Sequence, residues 1–192
     1  MTNRDVLRTI SGKAHKGFTL VELMVTVAIV AILASVGAPQ LRAFLVKQQV
    51  RSDVDRLTTA IHMARSEALK RSGPVSICPL ADASSSTPSC KAKGDVVLGS
   101  WSQGWMVFVD YPNSSGALGA YESDTDTILL VEQGTRAGAV ATADKTASMT
   151  FQAVGIGTGL SGSFTVGTKG NGNHCVKLDI SITGRTAAGT CP

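Results

Sequence analysis

The sequence predicts an α+β fold, one long N-terminal helix packed against an antiparallel β-sheet domain. Three observations predict it. Residues 18–38 are apolar apart from hydroxyls and one charge, Glu22. Val46, Val50, Val54, Leu57, Ile61, Ala64 and Ala68 then step by four or three, the spacing of one buried helix face. Beyond Pro74 the apolar residues alternate in short runs separated by Gly, Asn and Ser clusters, the pattern of strands and turns.

The chain opens on a mostly basic stretch holding Arg4, Arg8, Lys13 and Lys16 against Asp5. The run that follows is long enough to span a bilayer as a helix of roughly 30 Å. It exceeds the core of a secretory signal, and no A-x-A site follows it; the small residue, Gly17, precedes it instead. The positive-inside rule keeps the basic stretch cytoplasmic and places everything after Pro39 outside, so on physics alone the chain reads as a single-pass membrane protein. The helix should continue to about Ser72, loosened at Gly37 and Pro39, and Gly73-Pro74 should stop it. Strands are expected at 75–78, 105–109 and 127–132, weaker ones at 148–151 and 163–166, and one at 175–182 with Val176, Leu178, Ile180 and Ile182 on one face. Turns are expected at 112–119, 155–162 and 167–173. One sheet folded over the helix stripe is the simplest arrangement.

The formal charge is +4, of which the first seventeen residues supply +3, so the remainder is near neutral and carries no global footprint for nucleic acid. All four cysteines follow the apolar run, and an even count in an exported domain favours disulfides. Four cysteines allow three connectivities; Cys78–Cys90 with Cys175–Cys191 closes two short loops and is the favoured one. Zinc would want C-x2-C pairs, and there are none. Catalytic chemistry is not expected either. His15, His62 and His174 sit in no recognisable motif, and Gly155-Ile156-Gly157-Thr158-Gly159 lacks the Lys-Ser/Thr of a phosphate loop. Glu122, Asp124 and Asp126 lack the spacing of a calcium loop and read as a solvated acidic turn. No enzyme activity, cofactor or metal is anticipated.

The residues G-F-T-L-V-E at 17–22, with Pro39 closing the run, resemble the processing site of type IV prepilins and type II secretion pseudopilins. That resemblance implies the pilin fold. Residues 1–17 become a leader, 18–39 a transmembrane and filament-core helix, 40–72 its amphipathic continuation and 73–192 an extracytoplasmic β-rich domain. It further implies cleavage between Gly17 and Phe18 by a prepilin peptidase, N-methylation of Phe18, an inner-membrane anchor with a periplasmic C-terminal domain, and later residence in a pilus among other pilins. Phe18 and Glu22 are four apart and share a helix face. In an apolar filament core the carboxylate of one subunit and the new amine of the next would neutralise each other, a pairing that sets register more than it adds stability. Glu22 is therefore expected to align subunits.

Further blocks are similar to the FimT/FimU minor pilin and GspH minor pseudopilin family: A-R-S-E-A-L-K-R from Ala64, V-S-I-C-P from Val75, G-W-M-V-F-V-D from Gly104 and the late S-I-T-G-R. The implied function is that of a tip or priming minor pilin; the alternative is a secretion pseudopilin contacting exported proteins. Some FimT-like proteins bind DNA for natural transformation through a G-R-x-R motif. Here Gly184-Arg185 is present and Ala187 stands at the second arginine position. Arg185, Lys177 and Lys169 are the candidate DNA contacts, cations in a Gly-rich tail able to engage phosphates without reading sequence.

Overall fold

A computed structural model of the chain describes residues 17–91, 95, 100–112, 118–134, 139–143, 148–159, 162–168 and 175–191; for 139–143 and 168 it describes the backbone. The chain divides into two compact units, Met1–Arg42 and Ala43–Pro192.

Helix α1 runs over Leu20–Arg71 with Pro39 inside it. Thr19 caps its start, its Oγ1 accepting the Glu22 N–H at 3.2 Å. Thr19-x-x-Glu22 has the spacing of a capping box, and an acidic residue in the first turn complements the helix dipole. Within the apolar part the hydroxyls of Thr26 and Ser35 bond back to the carbonyls of Leu23 and Ile32, at 2.8 and 2.7 Å. Those hydroxyls need no water, which suits an apolar medium. At the other end Ser72 takes a positive φ of 51° and the Gly73 N–H reaches the Ala68 carbonyl at 3.3 Å. This is the six-to-one bond of a Schellman stop. The left-handed residue is Ser72 rather than the neighbouring glycine, because Pro74 disfavours helical geometry at the residue before it.

In the Ala43–Pro192 unit the helix stripe is buried, from Val50 and Val54 through Leu57, Ala60, Ile61 and Ala64 to Ala68. Two antiparallel sheets cover it rather than the single sheet that the sequence predicts. The first has five strands in the order β3-β2-β1-β5-β6, where β1 is Val75–Pro79, β2 Gly104–Val109, β3 Thr127–Gln133, β5 Met149–Phe151 and β6 Gly157–Thr158. The second has four in the order β4-β7-β8-β9, with β4 Ala139–Ala143, β7 Gly162–Thr168, β8 Cys175–Ile180 and β9 Thr186–Thr190. One hydrophobic core joins helix and sheets: Ile77, Trp105, Val107 and Phe151 from the first sheet and Phe164, Val166, Leu178 and Ile180 from the second surround Leu57 and Ile61. Trp101, in a 3-10 turn over Ser100–Gln103, meets Phe164 edge-to-face at 5.0 Å.

Three local expectations change. Strand β6 and the start of β7 lie where the sequence reads as a continuous turn over 155–162. Strand β8 stops at Ile180, so Ile182 is in a turn and 55% exposed instead of on the core face. The acidic turn is only partly solvated. Asp126 is buried, its carboxylate accepting the backbone N–H of Tyr111 at 3.0 Å and of Glu122 at 2.8 Å.

Candidate functional site

The N-terminal site lies in the Met1–Arg42 unit. Gly17 and Phe18 precede the helix, and Phe18 is 79% exposed. Every described residue from Gly17 to Leu45 is exposed, and the helix is long and apolar enough to cross a membrane. Glu22 makes no ion pair among the described residues, whereas the Thr26 and Ser35 hydroxyls of the span are bonded to backbone carbonyls. An unpaired carboxylate in such a segment marks a functional position.

The two disulfides brace the Ala43–Pro192 unit at separate places. Cys78, inside β1, joins Cys90 with Cα atoms 5.6 Å apart. Cys175, which opens β8, joins Cys191 just past β9 with Cα atoms 5.8 Å apart. The second bridge closes the β8–β9 hairpin at its open end.

The structure does not gather the three candidate DNA contacts. Lys169 lies outside the described residues, as does His174. Lys177 sits in β8 and pairs with Asp179 at 3.1 Å, two residues along the same strand face. Arg185 is at the turn end of the hairpin, where its carbonyl accepts the Ser181 N–H at 3.0 Å. Lys177 stands opposite Gly189 in β9. Four strand positions separate that glycine from Arg185, roughly 13 Å. Arg185 is exposed and has no ion-pair partner among the described residues. The glycine before it, Gly184, meets Arg65 of the helix: a Cβ there would stand 3.4 Å from Arg65 Cδ. Sequence spacing gave no sign of that neighbour.

A groove of about 570 Å³ lies between the helix and β3 and is lined by Arg51, Asp55, Arg56 and Glu132 among others. Its central cation is used structurally. Arg56 pairs with Glu132, contacts Asp53 at 3.3 Å and lies over Trp105 at 5.6 Å. A second polar cluster is fully buried. Asp110, just past β2, accepts the Ser76 hydroxyl and the Gly119 N–H at 2.6 Å, and Ser76 meets Thr150 at 2.6 Å. Burial pushes the Asp110 carboxyl above the usual range, with Asp126 and Glu122 adding to it and the two hydrogen bonds opposing it. The residues tie β1, β2 and β5 together. Among the described residues no cluster of three metal-ligating side chains occurs.

A family model described as type II transport protein GspH matches residues 53–184. The chain belongs to the GspH family. A second model, the prokaryotic N-terminal methylation motif, matches residues 12–38 and so contains Gly17, Phe18 and Glu22. The chain is thus a type IV pilin-like protein of the minor pilin and pseudopilin class, with the apolar N-terminal helix of a membrane-anchored pilin. A fimbrial protein of Pseudomonas aeruginosa is 47% identical over 55 residues, 27% of this chain and 36% of that one. The type IV major fimbrial protein FimA of Dichelobacter nodosus is 45% identical over 50 residues, 24% and 32% of the two chains. This GspH-family chain therefore spans about a third of the length of the curated relatives it matches. In fold it is similar to the crystal structure of the type IV minor pilin FimU of Pseudomonas aeruginosa, with a TM-score of 0.52 and 21% identity over 76% of this chain and 92% of that one.

Proposed function

We propose that this chain is a minor subunit of a type IV pilus. A prepilin peptidase cleaves between Gly17 and Phe18 and Phe18 is N-methylated. The helix holds the processed protein in the inner membrane with its Ala43–Pro192 unit in the periplasm, and the subunit then enters the filament at or near its tip. Its role is non-catalytic. The observation that carries the reading is the pairing, in one chain, of a methylation motif around Glu22 with a globular unit of minor-pilin fold. Phe18 and Glu22 supply opposite charges to neighbouring subunits once cleavage frees the amine. The description of the matching family favours a second reading, a minor pseudopilin of a type II secretion system.

Deleting the gene and restoring it separates them. Loss of surface pili with normal release of exported enzymes supports the pilus; exported enzymes retained in the periplasm with pili intact supports the secretion system. A contribution to DNA uptake rests, among the described residues, on Arg185 alone, because Lys177 is paired with Asp179. Titrating DNA into the full-length chain in detergent tests it. Salt-sensitive binding that Arg185→Ala removes supports DNA contact, and a single phosphate contact gives a log–log salt slope of only about −0.9.

A further inference from the structure

Where helix α1 ends, the two turns of the sheets meet it and leave apolar side chains in water. Leu69 is 48% exposed, Val154 73%, Ile156 49% and Ile182 55%. They are adjacent in space. Gly155, between Val154 and Ile156, has φ +74° and faces Leu69, whose Cδ2 lies 3.2 Å from where a Cβ would be. The Gly157 N–H bonds the Ile182 carbonyl at 2.9 Å, which joins the β5–β6 turn to the β8–β9 turn. Arg65 lies between the two turns, 3.4 Å from the Cβ position of Gly155 through Nε and 3.4 Å from that of Gly184 through Cδ. Both glycines have a positive φ, and a Cβ would press on Leu69 at Gly155 and stand 2.6 Å from Phe151 at Gly184. Arg65 Nε is buried with no hydrogen-bond partner, and neither Arg65 nor Arg185 has an ion pair among the described residues.

Four exposed aliphatic side chains beside Arg65, with Arg185 following Gly184 in the same turn, differ from an ordinary solvated face. Contiguous apolar surface marks an interaction site, and arginine and aliphatic groups together typify a protein interface. We infer that this patch, formed by Leu69, Val154, Ile156 and Ile182 with Arg65 and Arg185, docks a segment of a different protein in which a carboxylate lies among aliphatic residues. The charge decides the partner. Two unpaired guanidiniums select a carboxylate and offer it bidentate hydrogen bonds. The aliphatic residues would gain nothing from a phosphate backbone. A second copy of this chain would not dock through its acidic turn, which is already engaged. The Asp126 carboxylate holds the backbone N–H of Tyr111 and Glu122, Asp124 accepts the Ser123 hydroxyl at 3.2 Å, and Glu122 is partnered as well. The inference stands apart from the choice between pilus and secretion system, since either supplies a protein partner.

The test is site-specific photocrosslinking in living cells, with the full-length chain carrying benzoylphenylalanine at Val154 and, as control, at Ser84 in the exposed loop before Cys90. The expected result is an adduct from position 154, absent from 84, whose mapped peptide on another protein has Asp or Glu among aliphatic residues. Arg185→Glu should cut its yield about tenfold, the loss of one charge-assisted contact, and Arg185→Lys, which keeps the charge without the fork, should cut it less. Arg185 is exposed and acts in the fold through its backbone, so the variant is expected to fold; formation of both disulfides on a non-reducing gel checks this. No adduct, an adduct with nucleic acid, lipid or a second copy, or a protein adduct indifferent to Arg185→Glu would each overturn the inference.

Discussion

The two halves of helix α1 share a backbone conformation and differ in what holds them. Between Val50 and Ala68 the apolar stripe is buried, and its residues belong to the core that joins both sheets. Between Leu20 and Leu45 every residue is exposed, and the apolar ones point in all directions. The second half is stable because burying one face removes apolar area from water at about 25 cal/mol per Å². The first half buries no such face among the described residues. A helix apolar all round needs a bilayer or a layer of other helices. The difference teaches that one sequence element carries two instructions: fold here, and assemble elsewhere.

The sharpest way to break that comparison is at Gly17. Gly17→Val should leave the leader attached to all of the protein, as intact mass would show, while the Ala43–Pro192 unit keeps its melting temperature. Glu22→Ala should come next. Processing should continue, and incorporation into filaments, measured as sheared filament protein against the membrane pool, should fall about tenfold or more, consistent with a lost buried charge pair. Filaments as rich in the variant as in wild type would remove Glu22 from assembly. A matched pair then sharpens the contrast. Leu57→Ala should destabilise the globular unit by about 2–5 kcal/mol through the cavity it leaves. Leu33→Ala deletes the same atoms from the exposed half and should leave that unit's melting unchanged.

How far the sequence announces these features depends on whether their causes are local. The buried stripe was legible because helical periodicity records burial directly, and β2 was legible because all six of its residues are buried. Strands β4 and β9 were not. Thr186-Ala187-Ala188-Gly189-Thr190 has small residues of weak strand preference, and β9 is held by its ladder with β8 and the neighbouring disulfide. The cap was readable as Thr19-x-x-Glu22 but passes unnoticed beside the charge of Glu22. Lys177 and Asp179 were readable as a pair, since alternate strand residues share a face. The meeting of Arg65 with Gly155 and Gly184 was not, because no local pattern encodes contact between a helix and two distant turns. The buried state of Asp110 and Asp126 escaped for the same reason: a carboxylate near glycines and serines looks solvated until the chain delivers backbone N–H groups to it.

Asp110 supplies the smallest and most specific prediction. Its carboxyl is raised by burial, so the native state holds that proton more tightly than the unfolded chain does. The stability it contributes is fully present below the ordinary aspartate value of about 4, falls as pH rises through the raised native value, and is constant above it. Asp110→Asn keeps an acceptor for Ser76 and Gly119 and cannot ionise. The difference in melting temperature, variant minus wild type, should therefore climb as pH rises from about 4 and level off once Asp110 is ionised in the native state. Subtraction cancels the carboxylates the two proteins share. The helix half that faces out lacks any such group outside the span, so Leu33→Ala should give a flat difference over the same range. A flat difference for Asp110→Asn as well would mean that the hydrogen bonds from Ser76 and Gly119 offset the cost of burying its charge.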